Sequence, residues 1–176
     1  MGSCLTLGDF DRLDPRFAWM RDYLARVAPP GHLPGRRHVD PLAFKALLDF
    51  VNLVDVEHVD GAYRFRFRLV GVHQTIAAGR EITGRFLEDA VLPAFVERIG
   101  ANMRTAAESR QPVHDAFPMP HPGRDAIATE RVYFPLASDG TNVDMLLIVN
   151  AYPGDPKLNT LVLPQMPLPA GGLAAN

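Results

Sequence analysis

The sequence predicts an α+β fold built on antiparallel strands, and three observations carry that reading. Two Asp-Pro pairs, Asp14-Pro15 and Asp40-Pro41, each open an apolar run with a capping residue followed by proline at the first helical position. Two Asp-Gly pairs, Asp60-Gly61 and Asp139-Gly140, sit between alternating segments, where a tight hairpin needs residues that tolerate positive φ. Near residue 53 the apolar period changes from that of a helix to two.

In chain order, Phe17, Met20, Tyr23, Leu24 and Val27 recur at helical spacing within 14–28 and make one dry stripe. "PPGHLPG" ends that helix, and "GRRHV" reads as an exposed basic hinge. Leu42, Phe44, Leu47, Leu48 and Val51 give a second helix its apolar surface. "LVDVEHV" and "YRFRFRL" then form the two arms of a hairpin around Asp60-Gly61. Residues 71–90 read as short helical pieces punctuated by Gly71, Gly79 and Gly84. A longer helix follows, with Leu92, Phe95, Val96, Ile99, Met103 and Ala106 on its dry side, and Pro112 closes it. "VHDAF" is a short strand and "PMPHPGRDAI" a proline-rich loop. "TERVYFPLAS" is a strand with Val132, Phe134 and Leu136 on one side. "NVDMLLIVNAY" is the most continuously apolar run, as expected of a strand at the sheet centre, dry on both faces. The tail after Tyr152 is rich in proline and glycine and does not continue the sheet.

The stretch "YRFRFRLVG" alternates arginines with aromatics, which raises the question of a nucleic-acid surface. By parity Tyr63, Phe65, Phe67 and Leu69 share one face and Arg64, Arg66 and Arg68 the other. The chain carries 18 Lys and Arg against 20 Asp and Glu, a net charge of −2, whereas a phosphate-binding domain carries a positive excess. The expectation is a strand with a dry aromatic face and a wet or partner-facing arginine face, and no nucleic-acid partner. A single cysteine, Cys4, supports neither a disulfide framework nor a thiolate metal site. No run approaches the length of a membrane span and no signal peptide opens the sequence, so a cytoplasmic protein without a membrane partner is expected.

Three motifs stand in a familiar order. "PGRRHVDP" at 34–41 fits P-x-R-x-x-x-D-P, and "RLVG" followed by "GREITGR" fits a strand ending R-L-V-G with G-x-x-x-T-G-R beyond it. "RVYFPLASDG" fits R-x-x-x-P-L-x-x-D-G. In these residues the chain resembles a stand-alone bacterial subfamily of the PAS fold, over about residues 34–152. The resemblance implies a five-stranded antiparallel sheet of order 2-1-5-4-3 with helices on one face, to which this chain adds an N-terminal helix. The expected organisation is a flanking helix and linker at 1–33, a PAS-like domain at 34–152 and a tail at 153–176. It also implies a sensory or adaptor protein of bacterial signalling that binds a small molecule or a protein partner, with a signalling kinase or regulator as the expected partner. The alternative is a ligandless structural interaction module.

No chemistry of catalysis is visible. The histidines at 32, 38, 58, 73, 114 and 121 include no i, i+4 pair and have no cysteine partner, so no metal site is expected. There is neither a G-x-S-x-G elbow nor a phosphate-cradling glycine loop, so no enzyme is expected. The helix at 92–110 lacks the histidine or cysteine that a haem-binding PAS domain would use, and the short-helix region lacks the cysteine of a LOV-type flavin sensor. The cofactor is therefore left unknown, with haem and LOV-type flavin disfavoured. Two sites are expected instead. Phe65, Phe67, Leu69, His73, Gln74, Tyr133 and Met145 are the candidate walls of a ligand pocket. Phe17, Met20, Tyr23, Leu24 and Val27 are the candidate partner interface, pairing the N-terminal helix with a second copy in a homodimer.

Overall fold

The computed structural model describes residues 2–121, 124–159 and 163–166. Its strands are β1 (Ser3–Cys4), β2 (Val51–Val59), β3 (Ala62–Leu69), β4 (Val113–His121), β5 (Arg124–Leu136) and β6 (Met145–Ala151). Its α-helices are α1 (Pro15–Val27), α2 (Val72–Ala78), α3 (Leu87–Ala90) and α4 (Pro93–Ser109). The six strands form one antiparallel sheet of order β1-β4-β5-β6-β2-β3. Five of these strands run in the order the resemblance implies, with "MLLIVNA" near the centre and buried along its whole length. The sixth, β1, adds two residues to the β4 edge and is anchored where Gly2 N–H donates to Asn102 Oδ1 at 2.8 Å.

Local chemistry accounts for most boundaries. Asp14 caps α1 by accepting from Arg16 N–H at 3.0 Å, with Pro15 at the first helical position. The β2–β3 hairpin turns on Asp60 (φ 51°) and Gly61 (φ 79°), the two left-handed residues of a turn whose twist matches the strands. Gly71 is required by contact: a Cβ there would meet the Asp49 carbonyl oxygen at 2.4 Å.

Three elements differ from expectation. Residues Pro41–Phe50 are 3-10 turns broken at Phe44 (φ −132°, ψ 34°), because the buried side chains are Phe44, Leu47 and Phe50. A spacing of three aligns on one edge only in the tighter helix, and it leaves Leu42 exposed. The segment expected as a proline loop is ladder, pairing from Pro118↔Ala128 through His121↔Arg124. Beyond His114 strand β4 has a partner on one side only, and an edge strand tolerates proline. Finally, the basic hinge is a 3-10 turn at Arg36–His38 that leads into buried Val39.

The sheet is covered on both faces. On one side lie α3 and α4, packed on Val54, Phe65, Phe67, Tyr133, Leu146 and Ile148, with α2 beside them, its Ala77 buried against Phe50, Ile127, Tyr152 and Leu158. On the other lie α1 and the 3-10 turns, packed on Val51, Leu53, Val132, Phe134, Leu147 and Val149. The expected partner stripe is therefore corrected. Phe17, Met20, Tyr23 and Leu24 are buried in this second core, and Val27 packs at its edge, so the dry face of α1 is covered by the chain's own sheet. The tail docks here too, with Met166 packed on this core and Trp19 Nε1–H donating to the Pro164 carbonyl at 2.8 Å, while Leu158 is buried apart from it with Phe50, Ala77, Ile127 and Tyr152. Residues 160–162 of the tail lie outside the described residues.

Because α1 belongs to the core, its truncation is a cavity mutation. Phe17→Ala is expected to lower the urea-unfolding free energy by about 3–5 kcal/mol. Removal of residues 1–30 is expected to give a chain that binds a hydrophobic dye and loses cooperative unfolding, not a folded monomer.

Candidate ligand cavity

The arginine face of β3 is paired rather than open. Arg64 Nη2 donates to Glu88 Oε1 at 3.0 Å, Arg68 Nε donates to Asp55 Oδ1 at 2.8 Å, and Arg66 is joined to Glu57. The Arg64 guanidinium also stands 3.7 Å above the centre of the Phe86 ring. Beside that pairing the loop 84–86 closes the free edge, where Phe67 N–H donates to the Arg85 carbonyl at 2.9 Å.

Behind the dry face of β3 a cavity of about 300 Å³ opens between the sheet and α2, α3 and α4. That volume is at the lower end of the range for small-molecule sites. Phe67, Ile82, Ile99, Met103, Met119 and Ile148 supply apolar wall. The polar wall is Asn52, Gln74, Arg131, Tyr133 and Asn150, while exposed Arg80, Leu92 and Pro120 mark the open side.

Of the seven residues expected to line a pocket, Phe67, Gln74 and Tyr133 do so. Phe65 lies on the same face but is buried in the core beyond the cavity. Leu69 is turned away: opposite Leu53 and Val54 the pairing steps from Leu69 to Phe67, so Arg68 is the extra residue of a β-bulge and parity reverses after it. Leu69 then faces with Leu53, 39% exposed. Met145 belongs to the opposite core, under the N-terminal segment. His73 is outside the cavity, edge-on to Phe50 with ring centres 4.4 Å apart, and its buried Nδ1 has no hydrogen-bond partner.

The reading from sequence missed the polar groups of the cavity. Arg131 alternates with Val132 and shares the face of Tyr133, so the signal was strand parity. Asn52 and Asn150 are amides inside the apolar runs "FVNLV" and "LIVNAY". One end of each amide is engaged by the fold: Asn52 Oδ1 accepts from Gly71 N–H at 3.0 Å, and Asn150 Nδ2 donates to the Phe50 carbonyl at 3.1 Å. Gln74 Oε1 accepts from the Tyr152 hydroxyl at 3.1 Å, which ties the cavity wall on α2 to the end of β6.

Charge is distributed unevenly around Tyr133. Asp115 is buried on β4 and is held from α4, by Arg98 Nη2 at 2.5 Å and Nε at 3.2 Å and by Asn102 Nδ2 at 2.7 Å. Arg131, directly across the ladder from Asp115, is 5% exposed, and its Nε and Nη2 have no hydrogen-bond partner. Its guanidinium stands 4.8 Å from the centre of the Phe117 ring, which also carries Arg98 at 4.3 Å. Burial raises the Tyr133 phenol above its usual pKa, against the opposing pull of nearby Arg131, so the hydroxyl is protonated and able to donate. Among the described residues no group of three or more His, Cys, Asp and Glu side chains could hold a metal. None of their helices is long and apolar enough to cross a membrane.

Two predictions follow from this wiring. Asp115→Ala removes the acid held by Arg98 and Asn102 and, with Arg98 partly exposed, is expected to cost about 1.5–3 kcal/mol in denaturant unfolding. His73 is held below its usual pKa chiefly by burial. Its neutral ring makes no demand above pH about 6.5, whereas below it the unfolded chain takes up a proton that the folded chain resists. Thermal stability should therefore fall between pH roughly 7.5 and 5.5, and less steeply in His73→Phe.

A family model described as a PAS domain matches residues 16–149. Among solved structures the chain is similar to the PAS domain of a protein from Colwellia psychrerythraea, at 17% identity over 61% of this chain and 91% of that one, with TM-score 0.42. It is also similar to the LOV protein of Rhodobacter sphaeroides, at 11% identity over 82% of this chain and 70% of that one, with TM-score 0.46. No curated protein matches. The family match runs from Arg16 in α1 to Val149 in β6 and takes in all or most of every strand but β1, and the chain belongs to the PAS domain family.

Proposed function

We propose that this PAS domain is a non-catalytic sensor whose signal is a small molecule held between the sheet and α2–α4. The observation that carries this reading is the cavity itself: about 300 Å³ walled by apolar side chains and interrupted by five polar ones from four different elements. A domain serving only as a ligandless interaction module has no use for such a gap, because interiors pack to near-crystalline density and each unfilled volume lowers stability. Convergent polar groups in an apolar recess are the usual makeup of small-molecule sites. The output is a protein contact, with a signalling kinase, a regulator or a second copy of the chain as receiver. The far face of the sheet is already covered by α1, so such a contact uses a surface other than that helix stripe.

Native mass spectrometry of the freshly purified full chain, before and after denaturation, tests this. A retained small mass, lost on denaturation and absent from the cavity-filling variant Ala78→Phe, is the expected result. A clean protein mass, with no stabilisation by any small molecule, would return the function to an adaptor that works by surface contact alone.

A further inference from the structure

We propose that the cavity is built for a small organic anion, a carboxylate with a short apolar body, whose oxygens are received by the Arg131 guanidinium and the Tyr133 hydroxyl. This rests on the small-molecule reading above and names the class of ligand. A guanidinium stays charged inside a protein, and burying it without partners is unfavourable by several kcal/mol. Arg131 is in that situation: it is 5% exposed and two of its three nitrogens lack a hydrogen-bond partner. The nearest carboxylate in the ladder, Asp115, already binds Arg98 and Asn102, so two arginines share one acid and a positive charge is left over. Among the described residues no Asp or Glu lines the cavity, whereas Arg80 and Arg131 both do. Arg80 is engaged at the open side, its Nη2 donating to the Asp89 and Ala90 carbonyls at 3.0 Å each.

Geometry directs the remaining charge. The Phe117 ring covers one face of the Arg131 guanidinium, and stacking leaves its in-plane N–H groups free. Those groups form the fork that matches a carboxylate with two parallel hydrogen bonds. The buried Tyr133 hydroxyl, set beside Arg131 and Asn102, is a further donor on the same wall. Ile99, Met103 and Ile148 complete a dry recess for the body of the ligand. At about 30 Å³ for each water displaced, the cavity holds on the order of ten waters, which limits the ligand to about that number of heavy atoms.

The test is thermal unfolding of the full chain with benzoate against benzamide, and hexanoate against hexanamide, at matched ionic strength, alongside native mass spectrometry. Stabilisation by the acids and not by their amides, weakened about tenfold or more in Arg131→Met, is expected. Arg131→Lys keeps the charge but loses the two-pronged contact, so it should bind about tenfold more weakly and serves where the methionine variant does not fold. Equal responses to acid and amide, a response unchanged in both variants, or a retained molecule without an acidic group would overturn the anion inference and leave the small-molecule reading standing. No response to any of the four probes together with no retained mass would overturn both.

Discussion

The structure depends on a sheet that is apolar on both faces. Strand β6 is buried at every position, so neither face can meet water and each needs a covering layer. The two layers are not equivalent. On one face α1 and the 3-10 turns close with stacked aromatics, among them Trp19 and Tyr23 at 5.4 Å between ring centres. On the other, three helices of 7, 4 and 17 residues bridge the sheet, and the first two are too short to fill the space beneath them. The cavity lies in that layer, next to the two shortest α-helices.

What keeps the cavity polar is a division of labour along one strand pair. Asp115 joins α4 to the sheet through Arg98 and Asn102, and Asn102 in turn holds Gly2 and with it β1. This junction closes the edge of the domain. It also takes the acid that would otherwise neutralise Arg131, so one arrangement both stabilises the fold and leaves an uncompensated donor inside it. Stability and site are linked here by competition for a carboxylate.

Much of this was legible in the sequence. The β2–β3 and β5–β6 connections were marked by Asp-Gly, the starts of α1 and of the 3-10 segment at Pro41 by Asp-Pro, and the sheet order followed from motifs that resemble a known family, whereas the β4–β5 hairpin read as a proline loop. The site was only half legible, for identifiable reasons. Alternation assigns a side chain to a face only where the strand is polar on the other face, and "MLLIVNA" is not, so Met145 could not be placed by parity. At Leu69 parity fails because Arg68 bulges, and nothing in "RFRLVG" announces an extra residue. An amphipathic stripe such as that of α1 says that a face must be buried but not against what. Arginine in a strand reads as an outward residue by habit, and Arg131 is the exception on which the cavity turns.

Trp19 is the chain's single tryptophan, and it is buried in the layer opposite the cavity with its indole N–H on the Pro164 carbonyl. The molecule therefore carries one indole, which can be excited apart from its four tyrosines and is located where no ligand in the cavity can touch it. Any change in its emission on ligand addition would have crossed the sheet to get there, whereas quenching by direct contact is ruled out by position. Tryptophan emission is thus a native optical readout of whether the two faces of this domain communicate.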